Sequence, residues 1–399
     1  MTVENDAFAS DRTSGRILLG PGPSMVHPRV YQVMARPICG HLDPEFLALM
    51  DGIQDRLRRV FCTSNPFTLS ISGTGSSGME ASLTNLIEPG DGVLVCVNGV
   101  FGGRMCDIVE RLGGSLTKIE RPWGEVFEPR EIEQALAAEP NIEIVAIVHA
   151  ETSTGAHQPL REIGRICRDT GRLLVVDAVT SLAGVELEVD GWMIDVCYSG
   201  TQKCLSCPPG LAPITLNSRA LERIRRRKAK PTSWYLDLGM IERYWLERSR
   251  TYHHTAPITM NYALFEALNL VIEEGLERRF ERHRLHSRAL MAGLDILGFR
   301  PFAQDGHRLP MLNAVYLPAD IDDGSTRARL RDEYNIEVGG GLGDLTGRIW
   351  RVGLMGESAR SENVLRLLTA VEGIMRDSSG RSVATTAVDA ARAVYDNPS

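Results

Sequence analysis

The chain has 399 residues, of which 43% are hydrophobic and 24% charged, and a formal net charge of −7. That length exceeds one ordinary core and predicts two domains, while the mildly acidic balance gives no reason to expect a nucleic-acid partner. No apolar run reaches the roughly 18 residues of a bilayer span, so no membrane partner is expected either.

Residues 1–16 form a polar arm with acidic residues ahead of Arg16, without the basic start and apolar centre of a signal peptide. Eight cysteines (Cys39, Cys62, Cys96, Cys106, Cys167, Cys197, Cys204, Cys207) are dispersed through the chain, several within apolar runs. That usage suits reduced thiols and a cytoplasmic location. Ile17-Leu18-Leu19 then enters Gly20-Pro21-Gly22-Pro23-Ser24, whose prolines fix φ and whose glycines permit positive φ, predicting a rigid irregular loop.

From Pro44 to Phe61, apolar residues at Phe46, Leu47, Met50, Ile53, Leu57 and Val60 approach a 3.6-residue period and predict an amphipathic helix. Short apolar strands and helices alternate after it. Strands are expected at Thr68–Ser72, Val93–Val97, Ser115–Ile119, Ile144–His149, Leu173–Asp177 and Val196–Ser199. Helices are expected at Ser77–Leu86, Arg104–Leu112, Glu128–Glu139 and Leu160–Thr170. This pattern predicts an α/β fold, with a large domain built on a mostly parallel sheet flanked by helices and ligands bound at the carboxyl ends of the strands. The basic cluster Arg223–Lys230 lies beside Glu222 in a helical stretch and is a solvated face rather than a nucleic-acid site.

A long helical region, Tyr262–Leu297, breaks near Glu274 and Gly275. Strands at Asn313–Leu317, Ile336–Val338 and Ile349–Val352 and helices at Thr326–Glu333 and Ser361–Ile374 then predict a smaller C-terminal α+β domain. The expected division is an arm over 1–16, a large domain over 17–272, a small domain over 273–376 and an alanine-rich tail over 377–399.

Three features carry chemistry. Lys203 follows the apolar run Val196–Tyr198 in a turn bounded by Gly200 and Pro208. It is either a surface lysine or one whose burial is compensated by losing its proton or forming an imine. Gly73-Thr74-Gly75-Ser76-Ser77-Gly78 fits a dinucleotide-binding pattern, or a cradle for a single phosphate at a helix N-terminus. The next strand ends Val97-Asn98-Gly99 without the acid that would hold a ribose, which favours the phosphate. Asp177 ends the strand Leu173–Val176 and either caps the following turn or faces the ligand crevice, where it would keep a pyridine nitrogen protonated. Cys204 and Cys207 have redox or zinc spacing without the second ligand pair, and His253-His254, as neighbours that would face opposite sides of a strand, are expected as a subunit contact, so no metal site is expected.

Taken with Lys203, Asp177 and the glycine loop, the chain resembles the class V, fold type I pyridoxal-phosphate aminotransferases, especially the alanine:glyoxylate and serine:glyoxylate (serine:pyruvate) enzymes. The resemblance rests on Gly20–Ser24, Asn65-Pro66, Ser72–Gly75, Glu88–Asp91, Asn98–Gly102, His149–Gly155 and Val176–Val179. It continues through Tyr198–Lys203, Pro208–Gly210, Tyr252–Thr255, Gly339–Gly343 and Arg351–Leu354. It implies pyridoxal 5'-phosphate as cofactor, Lys203 as the imine-forming lysine and proton shuttle, and Asp177 on the pyridine nitrogen.

It further implies Phe101 stacked on the ring and Thr152 on the ring hydroxyl. Thr74, Gly75, Ser76 and Gln202 would hold the phosphate, with Tyr252 and Thr255 contributed by the other subunit of a homodimer. Arg351 and Gly22 would bind the substrate. The implied reaction moves an amino group from a small amino acid to a small 2-oxo acid. A different donor, such as ureidoglycine, or a sulfur-removing lyase remains open. Ser206 and Cys207 depart from the Gly and Ala more usual in this family.

Overall fold

The computed structural model describes residues 15–247, 249–379 and 386–397; most of the expected N-terminal arm, residues 1–14, lies outside them. The strands in chain order are β1 Ile17–Leu19, β2 Phe67–Ser72, β3 Gly92–Val97, β4 Ser115–Glu120, β5 Ile142–Val148, β6 Ala150–Glu151, β7 Ala156–His157, β8 Leu173–Asp177, β9 Val196–Tyr198, β10 Leu211–Leu216, β11 Arg300–Pro301, β12 Leu312–Tyr316, β13 Ile336–Gly340 and β14 Ile349–Gly353.

Seven of them form the large sheet, ordered β2-β10-β9-β8-β5-β3-β4. All are parallel except β10, which runs antiparallel to both neighbours. The α/β expectation therefore holds, with one strand added that the sequence reading leaves out. β3, β8, β9 and β10 are buried along their whole length. Such strands need cover on both faces, which the intervening helices give.

The helix Pro44–Phe61 shows how the local chemistry acts. Asp43 caps it by accepting from the N–H of Glu45 at 2.8 Å, Pro44 occupies its first turn, and the chain leaves through Cys62 at φ 51°. Its apolar stripe, Phe46, Met50, Ile53, Leu57 and Val60, is buried in the large core. Burying such side chains contributes on the order of 1.5–3 kcal/mol each before chain entropy is counted.

A second sheet, ordered β1-β13-β14-β12-β11, carries its own core. The strand Ile17–Leu19, expected with the large domain, instead pairs parallel with β13 and buries Ile17 and Leu19 in this second core. The alanine-rich end forms a helix, Ala387–Asp396, that buries Ala387 and Ala391 in the same core and places the Tyr395 hydroxyl 2.9 Å from His286 Nδ1. The two helices of the long helical region, Ile258–Glu274 and Leu276–Ile296, meet at Gly275. Among the described residues, no helix is long and apolar enough to cross a membrane.

Candidate active site

Lys203 lies in the connection from β9 to β10, which turns back over the carboxyl edge of the sheet. Several bonds fix that connection. The Ser199 hydroxyl donates to the Ala178 carbonyl at 2.9 Å and the Thr201 hydroxyl to that of Pro208 at 2.7 Å. From the first loop, Ser24 donates its N–H to the Gln202 carbonyl at 2.9 Å and its hydroxyl to the Lys203 carbonyl at 2.8 Å. Lys203 is 9% exposed and donates from Nζ to the Pro21 carbonyl. Burial, and then the nearby Arg351 guanidinium, bring its ammonium down to about 8, so the free amine is accessible near neutrality.

Asp177, at the end of β8, accepts from the Val179 N–H at 2.8 Å and from the Tyr198 hydroxyl at 2.9 Å. Tyr198 is its cross-strand partner on β9. Burial raises the Asp177 carboxyl to about 6, against the opposing pull of those two donors and of Lys203. Lys203 and Asp177 line one cavity of about 190 Å³, shared with Gly75, Ser76, Phe101 and Gln202. Val179, from the stretch Val176–Val179, also lines it, together with Met79 and Arg104, which no motif in the sequence marks.

The cavity opens onto the N-terminus of the helix Gly75–Leu86, which starts two residues before the expected Ser77. Gly75 is packed so closely that an added Cβ would stand 3.0 Å from a Val179 methyl carbon. Thr74 occupies the N-cap position with no side-chain cap bond, and Ser76 accepts from Arg104 Nη1 at 3.2 Å. Arg104 also lies 5.0 Å over the Phe101 ring. The buried Oε1 of Gln202 has no hydrogen-bond partner.

Thr152 and Arg351 join the two sheets beside Lys203. Arg351, on β14 and 7% exposed, donates from Nε to the Gly340 carbonyl at 2.8 Å and from Nη1 to the Thr152 carbonyl at 3.3 Å. The Thr152 hydroxyl lies 2.5 Å from that of Thr180. Gly22 gives Lys203 its room, because a Cβ there would stand 2.7 Å from Nζ. Tyr252 and Thr255 do not line the cavity in the single chain; both are exposed, with their hydroxyls 3.4 Å apart and the Tyr252 ring 5.0 Å from that of His41.

Around the lysine, burial pushes the Cys204 thiol up to about 12 and the Cys207 thiol still higher. Cys204 is held on the Thr180 carbonyl at 3.4 Å. Ser206 takes a left-handed conformation, φ 52°, that non-glycine residues rarely adopt. Its hydroxyl accepts from the Glu357 N–H at 2.7 Å, fastening the lysine loop to the turn after β14.

These groups fit pyridoxal phosphate. An amine with a depressed pKa suits the aldehyde, a buried carboxylate suits the ring nitrogen, and a helix N-terminus beside Arg104 suits the phosphate. The unpartnered end of Gln202 faces the same space; buried polar atoms without partners call for a ligand or water.

Comparison with known proteins agrees with that chemistry. The family described as Aminotransferase class-V matches residues 30–347. The chain is 43% identical to the (S)-ureidoglycine–glyoxylate transaminase of Bacillus subtilis over 96% of both chains. It is 39% identical to the alanine–glyoxylate aminotransferase of Drosophila melanogaster, over 91% of this chain and 93% of that one. The crystal structure of an alanine–glyoxylate aminotransferase from Nostoc sp. superposes with a TM-score of 0.89 at 49% identity, covering 90% of this chain and 95% of that one. The chain thus belongs to the class V aminotransferases, enzymes dependent on pyridoxal phosphate.

Proposed function

We propose that the protein is a homodimer that transfers the amino group of alanine or serine to glyoxylate or pyruvate by a ping-pong cycle. The observation that carries this reading is the convergence of Lys203, Asp177 and Arg351 at the carboxyl edge of the large sheet. When bound, the cofactor supplies an electron sink. Asp177 keeps the sink's nitrogen protonated, and Tyr198 and the Val179 N–H hold that carboxylate in place.

Lys203 would hold the cofactor through Nζ and would move the proton at that atom during transfer. Arg351, held by Gly340 and Thr152, offers the rest of its planar fork to the substrate carboxylate. Phe101 would cover the ring face; Thr74, Gly75, Ser76 and Gln202 would hold the phosphate with help from Arg104, and Thr152 would bond the ring hydroxyl.

The exposed Tyr252 and Thr255 complete the phosphate site of a second subunit. Exposed apolar groups at Ile38, Leu42, Trp234 and Tyr235 support such an interface. Free thiols throughout the chain support a cytoplasmic location.

All three named relatives act with glyoxylate, which supports it as acceptor. The Bacillus relative favours a second reading, in which ureidoglycine is the donor. A desulfurizing lyase has little support, because Cys204 and Cys207 are buried and protonated. A matrix of amino donors against 2-oxo acceptors tests these readings. Turnover with alanine or serine and glyoxylate supports the first, turnover with ureidoglycine alone replaces its donor, and sulfide release from cysteine contradicts both.

A further inference from the structure

The helix Val100–Arg111 carries Phe101 and Arg104 to the cavity but brings no cap of its own, since its N-cap residue is Gly99. The first N–H groups of a helix need acceptors from elsewhere. Here they come from the segment after β5. Ser153 Oγ accepts from the Val100 N–H at 3.0 Å, and Glu151 Oε2 accepts from the Phe101 N–H at 3.2 Å. The other Glu151 oxygen accepts from the Ser153 N–H at 3.1 Å and from its hydroxyl at 2.5 Å.

Glu151 is 1% exposed. Burial pushes the Glu151 carboxyl up to about 7, against the pull of the Ser153 and Phe101 donors. Each of these partners donates to it, so the hydrogen-bond arrangement favours the ionised carboxylate and a protonated one leaves a hydroxyl without an acceptor. Gly99 is extended, at φ 174°, so glycine is not required there for conformation. Space requires it, because a Cβ would stand 2.4 Å from the Glu151 carboxyl carbon. Glu151 also lies within electrostatic reach of Asp177 and of Arg351, the cation whose burial it offsets.

We propose that Glu151 is a positioning residue for amino-group transfer: with Ser153 it fixes the first turn of the helix Val100–Arg111 so that Phe101 and Arg104 are held over the cofactor cavity. The proposal rests on the reading that Phe101 covers the cofactor ring, and not on which amino acid is the donor. An uncapped, apolar-packed helix would keep its fold yet let that first turn shift.

The test uses holoenzyme and the isosteric Glu151→Gln. Either orientation of the new amide sets an NH₂ against a backbone N–H, of Phe101 or of Ser153. The dissociation constant for pyridoxal phosphate then rises about tenfold or more, and the visible circular dichroism of the bound cofactor changes because its covering ring has moved. Ser153→Ala changes both readouts in the same direction, less strongly. Glu110→Gln, exposed on the same helix, changes neither.

If Glu151→Gln lowers only the melting temperature and keeps the wild-type constant and dichroism, Glu151 is structural and the proposal is overturned. Should that variant fail to fold, unchanged readouts in Ser153→Ala overturn it. If wild-type protein itself takes up no cofactor, the reading of the cavity fails instead.

Discussion

The Nζ of Lys203 reaches the carbonyl of Pro21 only because Gly22 has no side chain: a Cβ on Gly22 would stand 2.7 Å from Nζ and 2.8 Å from Cδ. Gly22 also holds φ 108°, where an L side chain is strained in any case. Gly22→Ala is therefore expected to displace the lysine side chain. Cofactor attachment, read as the visible absorbance of the holoenzyme, falls, and kcat falls at least tenfold. Wild-type absorbance and kcat in that variant would show that the lysine does not need the space.

The acidity of Lys203 makes a prediction about pH. Burial and Arg351 lower the group to about 8, which enlarges the free-amine fraction near neutrality about a few hundred-fold over an ordinary lysine. As pH rises through about 8 the amine deprotonates, so cofactor uptake by apoenzyme should accelerate and then level off. Removing the cation in Arg351→Ala should shift that midpoint upward. Stopped-flow uptake measured from pH 6 to 10 checks both, and a flat profile contradicts them.

Asp177→Asn keeps the shape of the strand end but removes the charge proposed to face the cofactor's ring nitrogen. Loss of one member of a buried charge pair costs about 3–5 kcal/mol, or roughly 10²–10⁴-fold in kcat. The variant should still bind cofactor through the phosphate contacts. Retention of full kcat would place the aspartate in the turn-capping role alone.

Arg351→Ala should separate substrate recognition from cofactor binding. Loss of the proposed contact to the substrate carboxylate predicts kcat/KM lower by about a hundred-fold or more for every carboxylate donor, with the holoenzyme absorbance intact. Loss of cofactor instead would assign Arg351 to the cofactor site.

Sharing of the site between subunits is tested by mixing variants. In the proposed homodimer, Lys203→Ala should abolish activity and Tyr252→Ala should weaken cofactor binding, yet hybrids of the two variants would contain one intact site. Activity that reappears on mixing supports exchange of Tyr252 across the interface; none appears if each chain is self-sufficient.

Much of this architecture was legible in the chain. The helix Pro44–Phe61 and the strand Leu173–Asp177 appear with the expected bounds because caps, periodicity and burial agree there. The strand Leu211–Leu216 was hidden by Pro213, since proline in a central strand argues against one. Ile17–Leu19 was hidden by distance, as its partner Ile336–Val338 lies near the other end of the chain.

At the site, the lysine, aspartate and glycine loop were legible from their places at strand ends. Arg104 was not, because Gly102-Gly103 put the helix start at Arg104 rather than Val100. With the helix begun at Val100, Phe101 and Arg104 are three residues apart and share a face. The acceptors that make that start possible belong to Glu151 and Ser153, which no local pattern around Phe101 reveals.

The central claim is that Lys203 carries the cofactor. The chain has four lysines, Lys118, Lys203, Lys228 and Lys230, and Lys203 alone among them is buried. Borohydride reduction of the holoenzyme followed by peptide mapping should place the pyridoxyl label on Lys203 at about one per chain, with loss of activity. A label on Lys118, Lys228 or Lys230, with Lys203 unmodified, would contradict the account.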